Sequence, residues 1–419
     1  MEGRGGYSRL PVPTWMLCLL LLTEQLVLPL PFYAGITSSM ALGMVLAAGV
    51  CILTVVICWA IHSRAIGRSA LDANANGLIL IGTVLVAVAL HGAVADQLAG
   101  LDLRRFAASM IPLTLLLGAG LALGAVIRNA PEPSMSRAIR VSFWMLCAIV
   151  ALKASGLQPG HYTKSTFPFT ETSHFALAFG PVYLYMCSTA RSRRRDLWLL
   201  FGLVLTLLLK SATLLALMAI AALICRRFLV AFVAVLLIAA VGLTVQFKYF
   251  TSRVSLSSDS SNVSALVYLE GWEMLHDSLV RSRGWGVGFE QLGLQGSDVS
   301  AAEAIRNLTG GDDLNLKDGS FVLAKLGSEF GTAGLLLVAG YAFLAFRCLR
   351  ALRRGRGSLN EQFARSVVLA YFVDMFVRGT GYFSQSTLLF VGACLALAPV
   401  GGLLALGRGE GPHNLVVLR

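Results

Sequence analysis

Long apolar runs, broken at intervals by clusters of Arg and by short Gly- or Pro-containing joints, dominate the chain. A segment of about 20 apolar residues is long enough, as a helix, to cross the ~30 Å hydrocarbon core of a bilayer. Such runs occur near 14–34, 38–61, 77–98, 106–127, 138–156, 173–190, 228–246, 319–346, 366–385 and 386–406. The run 197–225 is overlong for one span and carries Lys210 in its middle. It reads either as one long helix or as two short ones meeting at Lys210. The pattern changes over 248–318, a hydrophilic stretch inside an otherwise apolar sequence. Within it, residues 264–282 read as an amphipathic helix lying on the membrane, with Leu266, Tyr268, Leu269, Trp272 and Leu275 on its apolar side.

Charge placement chooses between the two readings of 197–225, because Lys and Arg concentrate in short cytoplasmic loops. Two short helices give about twelve spans with both termini inside. That threading puts Arg64, Arg68, Arg128, Arg137, Arg140, Arg191, Arg193, Arg194, Arg195, Arg226 and Arg227 on the inner side. The Arg-rich stretch 347–365 and the terminal arginines join them. The outer connections then hold only Arg104, Arg105, Lys164, Lys210 and Arg378 besides the long loop. A single helix would instead turn the stretch 347–365 outward. The expected fold is therefore all-α: one polytopic membrane domain over 1–419, with 248–318 as a large outer loop, periplasmic in a Gram-negative inner membrane.

Composition agrees. The chain is 56% apolar and 13% charged, against about 25% charged in soluble domains, and its mean hydropathy is +0.74. The net charge of +12 reflects orientation in a membrane and gives no reason to expect nucleic acid. All eight Cys lie in spans or near their inner ends, so neither a disulfide framework nor a Cys-based zinc site is indicated. The first apolar run lacks a small-residue cleavage site and reads as a retained helix.

Ionisable groups in or beside spans are functional hypotheses by default. Lys210 sits where two short helices would turn below the outer surface, as a cation at the floor of an outward cavity suited to phosphate. The plain alternative is a snorkelling lysine. Arg253 opens the outer loop ahead of a hydroxyl-rich run, and Arg can grip phosphate oxygens bidentately; otherwise it contacts lipid headgroups. Glu171 and His174 stand one turn apart where the sixth span begins, with Thr172 or Ser173 as the cap, and could act as a base and its orienter. Asp374 with Arg378, and Lys325 with Glu329, are each spaced to pair on one helix face. Arg378 ranks above Lys325 as a ligand group, because the neighbouring glycines Gly379 and Gly381 permit close backbone approach. The run Gly284–Trp285–Gly286–Val287–Gly288 is weak evidence for phosphate and reads as the end of the loop helix. Asp312, Asp313 and Asp318 fit no metal-loop spacing.

Several strings, in order, resemble the Wzy-type O-antigen and exopolysaccharide repeat-unit polymerases, in the superfamily that includes the O-antigen ligases. They are PFTETSHFALAFGP from Pro168, SALVYLEGWE from Ser264 followed by GWGVGF, LNLKDGSFVLAKLGSEFG from Leu314, and VRGTGYF from Val377. The chain departs from the family at Thr172, where the family has Pro, and at Lys210, where many members have Arg. It also has Lys317–Asp318–Gly319 where ligases carry His-Asn, which favours polymerase over ligase.

The resemblance implies transfer of a glycan from undecaprenyl diphosphate to a hydroxyl of another lipid-linked repeat unit at the periplasmic face. It implies no metal and no cofactor, since Arg and Lys can hold the diphosphate. It implies Lys210, Arg253, Arg378 and Lys325 on the diphosphate, and His174, Glu171 or Asp318 as the base. The implied partners are the lipid-linked glycan, membrane lipid and a separate chain-length regulator protein. Two alternatives stand beside it: a ligase using lipid A-core as acceptor, and a secondary transporter. Against the transporter, no internal repeat is visible and the charges gather at the outer face, Glu24 being the main mid-depth exception.

Overall fold

The computed structural model describes residues 13–37, 40–62, 68–157, 165–226, 262–294, 299–311, 316 and 319–398. Arg253, Asp318, Asp312, Asp313 and the expected span 228–246 lie outside the described residues.

Among the described residues the chain is all-helical, with no strand beyond one isolated bridge. In order the helices are α1 (Thr14–Leu22), α2 (Leu30–Tyr33), α3 (Ala41–His62), α4 (Arg68–Ala99), α5 (Leu103–Asn129), α6 (Glu132–Ala154), α7 (Thr172–Thr189), α8 (Ser192–Leu209), α9 (Ala212–Cys225), α10 (Val263–Arg281), α11 (Ser300–Thr309), α12 (Val322–Arg353), α13 (Leu359–Phe376) and α14 (Gln385–Leu397). A π-helical turn, Thr23–Val27, continues α1 toward α2.

Among the described residues five segments are long and apolar enough to cross a membrane: Thr14–Tyr33, Gly77–Leu98, Leu103–Asn129, Glu132–Ala154 and Val322–Arg353. Ala41–Ile57, Ala212–Cys225 and Gln385–Leu397 are shorter apolar helices. Large side chains such as Leu78, Leu90, Leu336 and Phe343 are bare on the outside of the bundle. A water-soluble protein rarely shows apolar faces of this extent; here they mark the chain as a membrane protein.

Small residues bring the helix backbones together, as expected where lipid removes the hydrophobic drive between helices. Gly120 and Gly124 of α5 lie against Val391, Gly392 and Leu395 of α14. Gly180 of α7 lies between Leu217 of α9 and Ala370 of α13. These contacts also fix direction. Cys225 donates to the Cys187 carbonyl about two turns beyond the Gly180–Leu217 contact on both helices, so α7 and α9 run the same way. Tyr185 meets Phe363 where Gly180 meets Ala370, so α7 and α13 run opposite ways. The N-terminal ends of α7 and α9 and the C-terminal end of α13 therefore share one end of the bundle. The other end is basic. There Arg128 donates to carbonyls of residues 395, 396 and 398, Asn360 to the Ala130 carbonyl, and Arg353 to the Leu223 carbonyl.

The run 197–225 is broken at the expected place. Lys210 takes the left-handed conformation (φ 49°, ψ 46°) that ends α8, and the Ser211 hydroxyl accepts from Leu214 N–H to cap α9. With 18 and 14 residues, α8 and α9 are ~27 Å and ~21 Å long.

The span after the loop carries a break inside α12 at Gly331 (φ 59°, ψ −135°). The loop helix α10 turns two residues of its expected apolar side, Leu266 and Leu275, toward protein. Its buried side carries Glu270, Gly271 and Ser278 beside Leu266, Met274 and Leu275 and packs on α12 and α11. Tyr268 and Leu269 are only half-buried and Trp272 is exposed. A helix face that presents a glycine to Phe321 and the Gly319 carbonyl is shaped for protein.

Candidate active site at one end of the bundle

The residues that lead into α7 are tied down before the helix begins. Thr166 and Phe169 exchange backbone hydrogen bonds of 2.9 and 2.7 Å across a cis Phe167–Pro168 bond. Lys153, at the end of α6, donates to the Ser165 carbonyl (2.7 Å), Thr166 Oγ1 (2.9 Å) and Thr172 Oγ1 (3.2 Å). The backbone of Glu171 is extended and occupies the N-cap position itself, in place of the expected Thr172 or Ser173, and its side chain makes no capping bond. The carboxylate is thus released to other partners. It accepts from Ser173 Oγ (2.8 Å) and from Arg378 Nη2 (3.2 and 3.4 Å).

His174 is buried. Its Nδ1 bonds Thr170 Oγ1 at 3.0 Å, so Thr170, and not Glu171, orients the imidazole. When Nδ1–H is the donor, Nε2 keeps the lone pair that a general base needs. Gln385 Nε2 donates to the His174 carbonyl, which ties the start of α14 to this corner.

Arg378 does not pair with Asp374. The helix ends at Phe376, so the four-residue spacing no longer places the two on one face. Asp374 is buried and accepts from Ser386 Oγ at 2.6 Å. Arg378 instead turns to Glu171, with its Nε buried and without a hydrogen-bond partner. A buried Nε is closed to an incoming anion, so only the outer nitrogens of the fork, on a side chain 16% exposed, can meet one. The following Gly379 donates its N–H to the Ser320 carbonyl (2.9 Å) and lies on the backbone of Phe321. Tyr268 of α10 donates to the Phe376 carbonyl at 3.3 Å and stacks on Phe321 with centroids 4.8 Å apart. One corner thus joins the start of α7, the end of α13, the loop helix and the start of α12. Lys210 is exposed at the same end of the bundle.

Lys325 belongs to a different arrangement. It is 1% exposed and lies 3.0 Å from Glu290 Oε1 and 3.7 Å from Glu329 Oε1. Glu290 also accepts from Arg105 Nη2 at 3.3 Å, and the Tyr382 ring lies beneath the ammonium at 5.0 Å. A lysine so committed serves as a structural counter-charge to Glu290 and Glu329; its expected place on the diphosphate stays a proposal.

The glycine run has a mechanical role. The break at Gly331 frees carbonyls of α12, and Val287 and Gly288 donate to Ser328 and Glu329 at 2.9 Å each. Thr332 N–H returns a bond to the Gly284 carbonyl at 2.8 Å. Gly286 (φ 98°) lies so close that a Cβ would overlap the backbone of Glu329 and Gly331. Trp285 locks the turn to α4 by stacking on His91, with centroids 5.3 Å apart and planes 7° apart.

Lys153, Thr170, Glu290, Arg105 and Tyr382 carry interactions that the sequence reading did not assign to them. Lys153 stood at the outer end of a predicted span, which was its only signal. Among the described residues no group of three or more His, Cys, Asp or Glu is gathered as a metal site would need. No model of a known protein family matches the chain, and no curated protein matches it in sequence.

Proposed function

We propose that the chain is a membrane glycosyltransferase that polymerises undecaprenyl-diphosphate-linked repeat units at the periplasmic face of a bacterial inner membrane. The observation that carries this reading is the corner built by Glu171, His174 and Arg378. A base candidate and a half-used guanidinium meet there at the end of the bundle that also holds the loop helix and the broken α8–α9 hairpin. The proposed topology has about twelve spans with both termini cytoplasmic; the distribution of arginine supports that orientation.

In the proposed reaction an acceptor hydroxyl attacks the anomeric carbon of the lipid-linked glycan. The bond from that carbon to the phosphate oxygen breaks, and undecaprenyl diphosphate leaves with both electrons. His174 Nε2 takes the hydroxyl proton, with Glu171 as the alternative base. Arg378 and Lys210 stabilise the charge gathering on the leaving diphosphate, and Arg253 is proposed to join them. Glu171 holds Arg378 in register until the substrate arrives. Confining two bulky lipid-borne reactants to one surface supplies much of the rate. No step calls for a metal or a cofactor.

The same geometry would serve a ligase, which differs in its acceptor. A second reading, a proton-coupled transporter, draws support from one observation. Glu24 is fully buried in the π-helical turn of the first span, and neither carboxyl oxygen has a hydrogen-bond partner. Buried carboxyls in spans often mark proton paths, and π turns often mark functional sites.

The discriminating experiment is a gel of cell-surface and secreted polysaccharide from a deletion strain complemented with wild type or Arg378→Ala. Loss of long glycan with single lipid-linked repeats accumulating supports the polymerase. Long undecaprenyl-linked polymer that never reaches lipid A-core would indicate a ligase. An unchanged profile in the deletion strain would overturn both.

A further inference from the structure

We infer that the cleft between α10 and α11 is a saccharide-binding subsite, with Trp272 as the ring on which a sugar stacks. The inference rests on the transferase reading and names where the glycan chain lies.

The cleft is a shallow, open groove of about 450 Å³, a shape that suits a chain lying along the surface more than an enclosed ligand. Trp272, His276, Asp277, Val280 and Ser300 are among the residues that line it. Trp272 is 41% exposed, yet its ring is held from behind. Phe321 lies 5.2 Å away, tilted, and Tyr268 lies 6.3 Å away, edge-on. An exposed aromatic face fixed by two other rings presents a flat apolar platform at little entropic cost. The groups around it suit hydroxyls. His276 follows Trp272 by one turn on the same side of α10, and the Ser300 hydroxyl comes from the start of α11.

The chemistry argues against other occupants. Among the described residues no Lys or Arg lines the cleft, and Arg281 beside it is paired with Asp277, so a neutral polar ligand suits it better than a phosphate. Glu273 is already committed, accepting from Ser300 Oγ (2.7 Å) and Ala301 N–H (2.9 Å), and so it fixes α11 against α10 and shapes the wall.

Position ties the cleft to the candidate active site. Tyr268, one turn before Trp272, bonds the Phe376 carbonyl, two residues before Arg378. A helical turn is ~5.4 Å, comparable to the length of one sugar ring. A glycan whose diphosphate sat at Arg378 would therefore run along α10 and lay a sugar on Trp272 within a few residues of its reducing end.

The test uses the full chain in nanodiscs on a printed array of phosphate-free bacterial oligosaccharides. Wild type and Trp272→Phe should bind a subset of them, and Trp272→Ala should bind about tenfold more weakly, the scale of a lost aromatic contact. Val280→Trp, which fills the cleft from its wall, should also lose binding while leaving the ring trio in place. Absence of binding by wild type, or equal binding by wild type, Trp272→Ala and Val280→Trp, overturns the subsite. The transferase reading fails separately, on the glycan gel, whatever the array shows.

Discussion

Lys325→Met offers the sharpest check on how the charges at this end of the bundle divide between structure and chemistry. The ammonium is buried between Glu290 and Glu329 at 3.0 and 3.7 Å. At an effective dielectric of 20 those separations correspond to attractions of about 5.5 and about 4.5 kcal/mol. Removing the lysine also removes the cost of burying it, so the net loss is smaller than either sum suggests. Glu290 keeps Arg105 as a counter-charge, but Glu329, 0% exposed, is left with none. Breaking a buried pair in this way costs about 3 to 5 kcal/mol. SDS-induced unfolding in mixed micelles, followed by far-ultraviolet circular dichroism, would read the loss. The double variant Lys325→Met/Glu329→Gln, which neutralises the stranded carboxylate, should recover part of it, with a coupling on the order of 2 kcal/mol. If Lys325→Met unfolded like wild type yet abolished glycan transfer, the lysine would be a ligand group and the reasoning would be refuted.

Three further outcomes are expected. Gly286→Ala should destabilise by roughly 2 kcal/mol or more on the same unfolding assay, since it adds a Cβ at positive φ against backbone that cannot yield; wild-type stability would show that the turn can move off α12. Lys153→Met should free the residues leading into α7, at a cost of roughly 2 kcal/mol for its charge-assisted bonds, and should speed proteolysis between residues 157 and 172; an unchanged digestion pattern would contradict the tether. Lys210→Gly keeps a residue that accepts the left-handed turn while removing the charge, so it should abolish long glycan at normal protein level, with Lys210→Arg retaining it; normal glycan with Gly would remove Lys210 from the diphosphate site.

Much of the helical layout was legible because bilayer thickness and arginine placement constrain it strongly. The break at Lys210 followed from a run too long for one span and from the side on which the 347–365 arginines would otherwise fall. Local spacing was a poorer guide to charge partners. Arg378 and Asp374 are four apart, but the helix stops between them, and Arg378 reaches Glu171 at a separation of 207 residues. No window of sequence displays such a pair. The Lys325–Glu329 spacing did predict a contact, yet the closer partner, Glu290, comes from the loop. The glycine run showed its flexibility in the sequence but not its purpose, which depends on a second glycine, Gly331, breaking α12 where the run can supply donors. The protein-facing side of α10 was only partly legible: Leu266 and Leu275 mark it, but Gly271, the residue that allows close packing against Phe321, has no weight on an apolar scale.

The central claim is that this chain itself joins lipid-linked repeat units. Its most direct test is reconstitution of the purified chain in liposomes with repeat units bound to undecaprenyl diphosphate, followed by gel separation of the glycan and detection of the released lipid. The account predicts a ladder of polymer together with free undecaprenyl diphosphate, both lost in Arg378→Ala and His174→Ala. Substrate that stays as single repeats with the wild-type chain, or a ladder that persists in both variants, would contradict it.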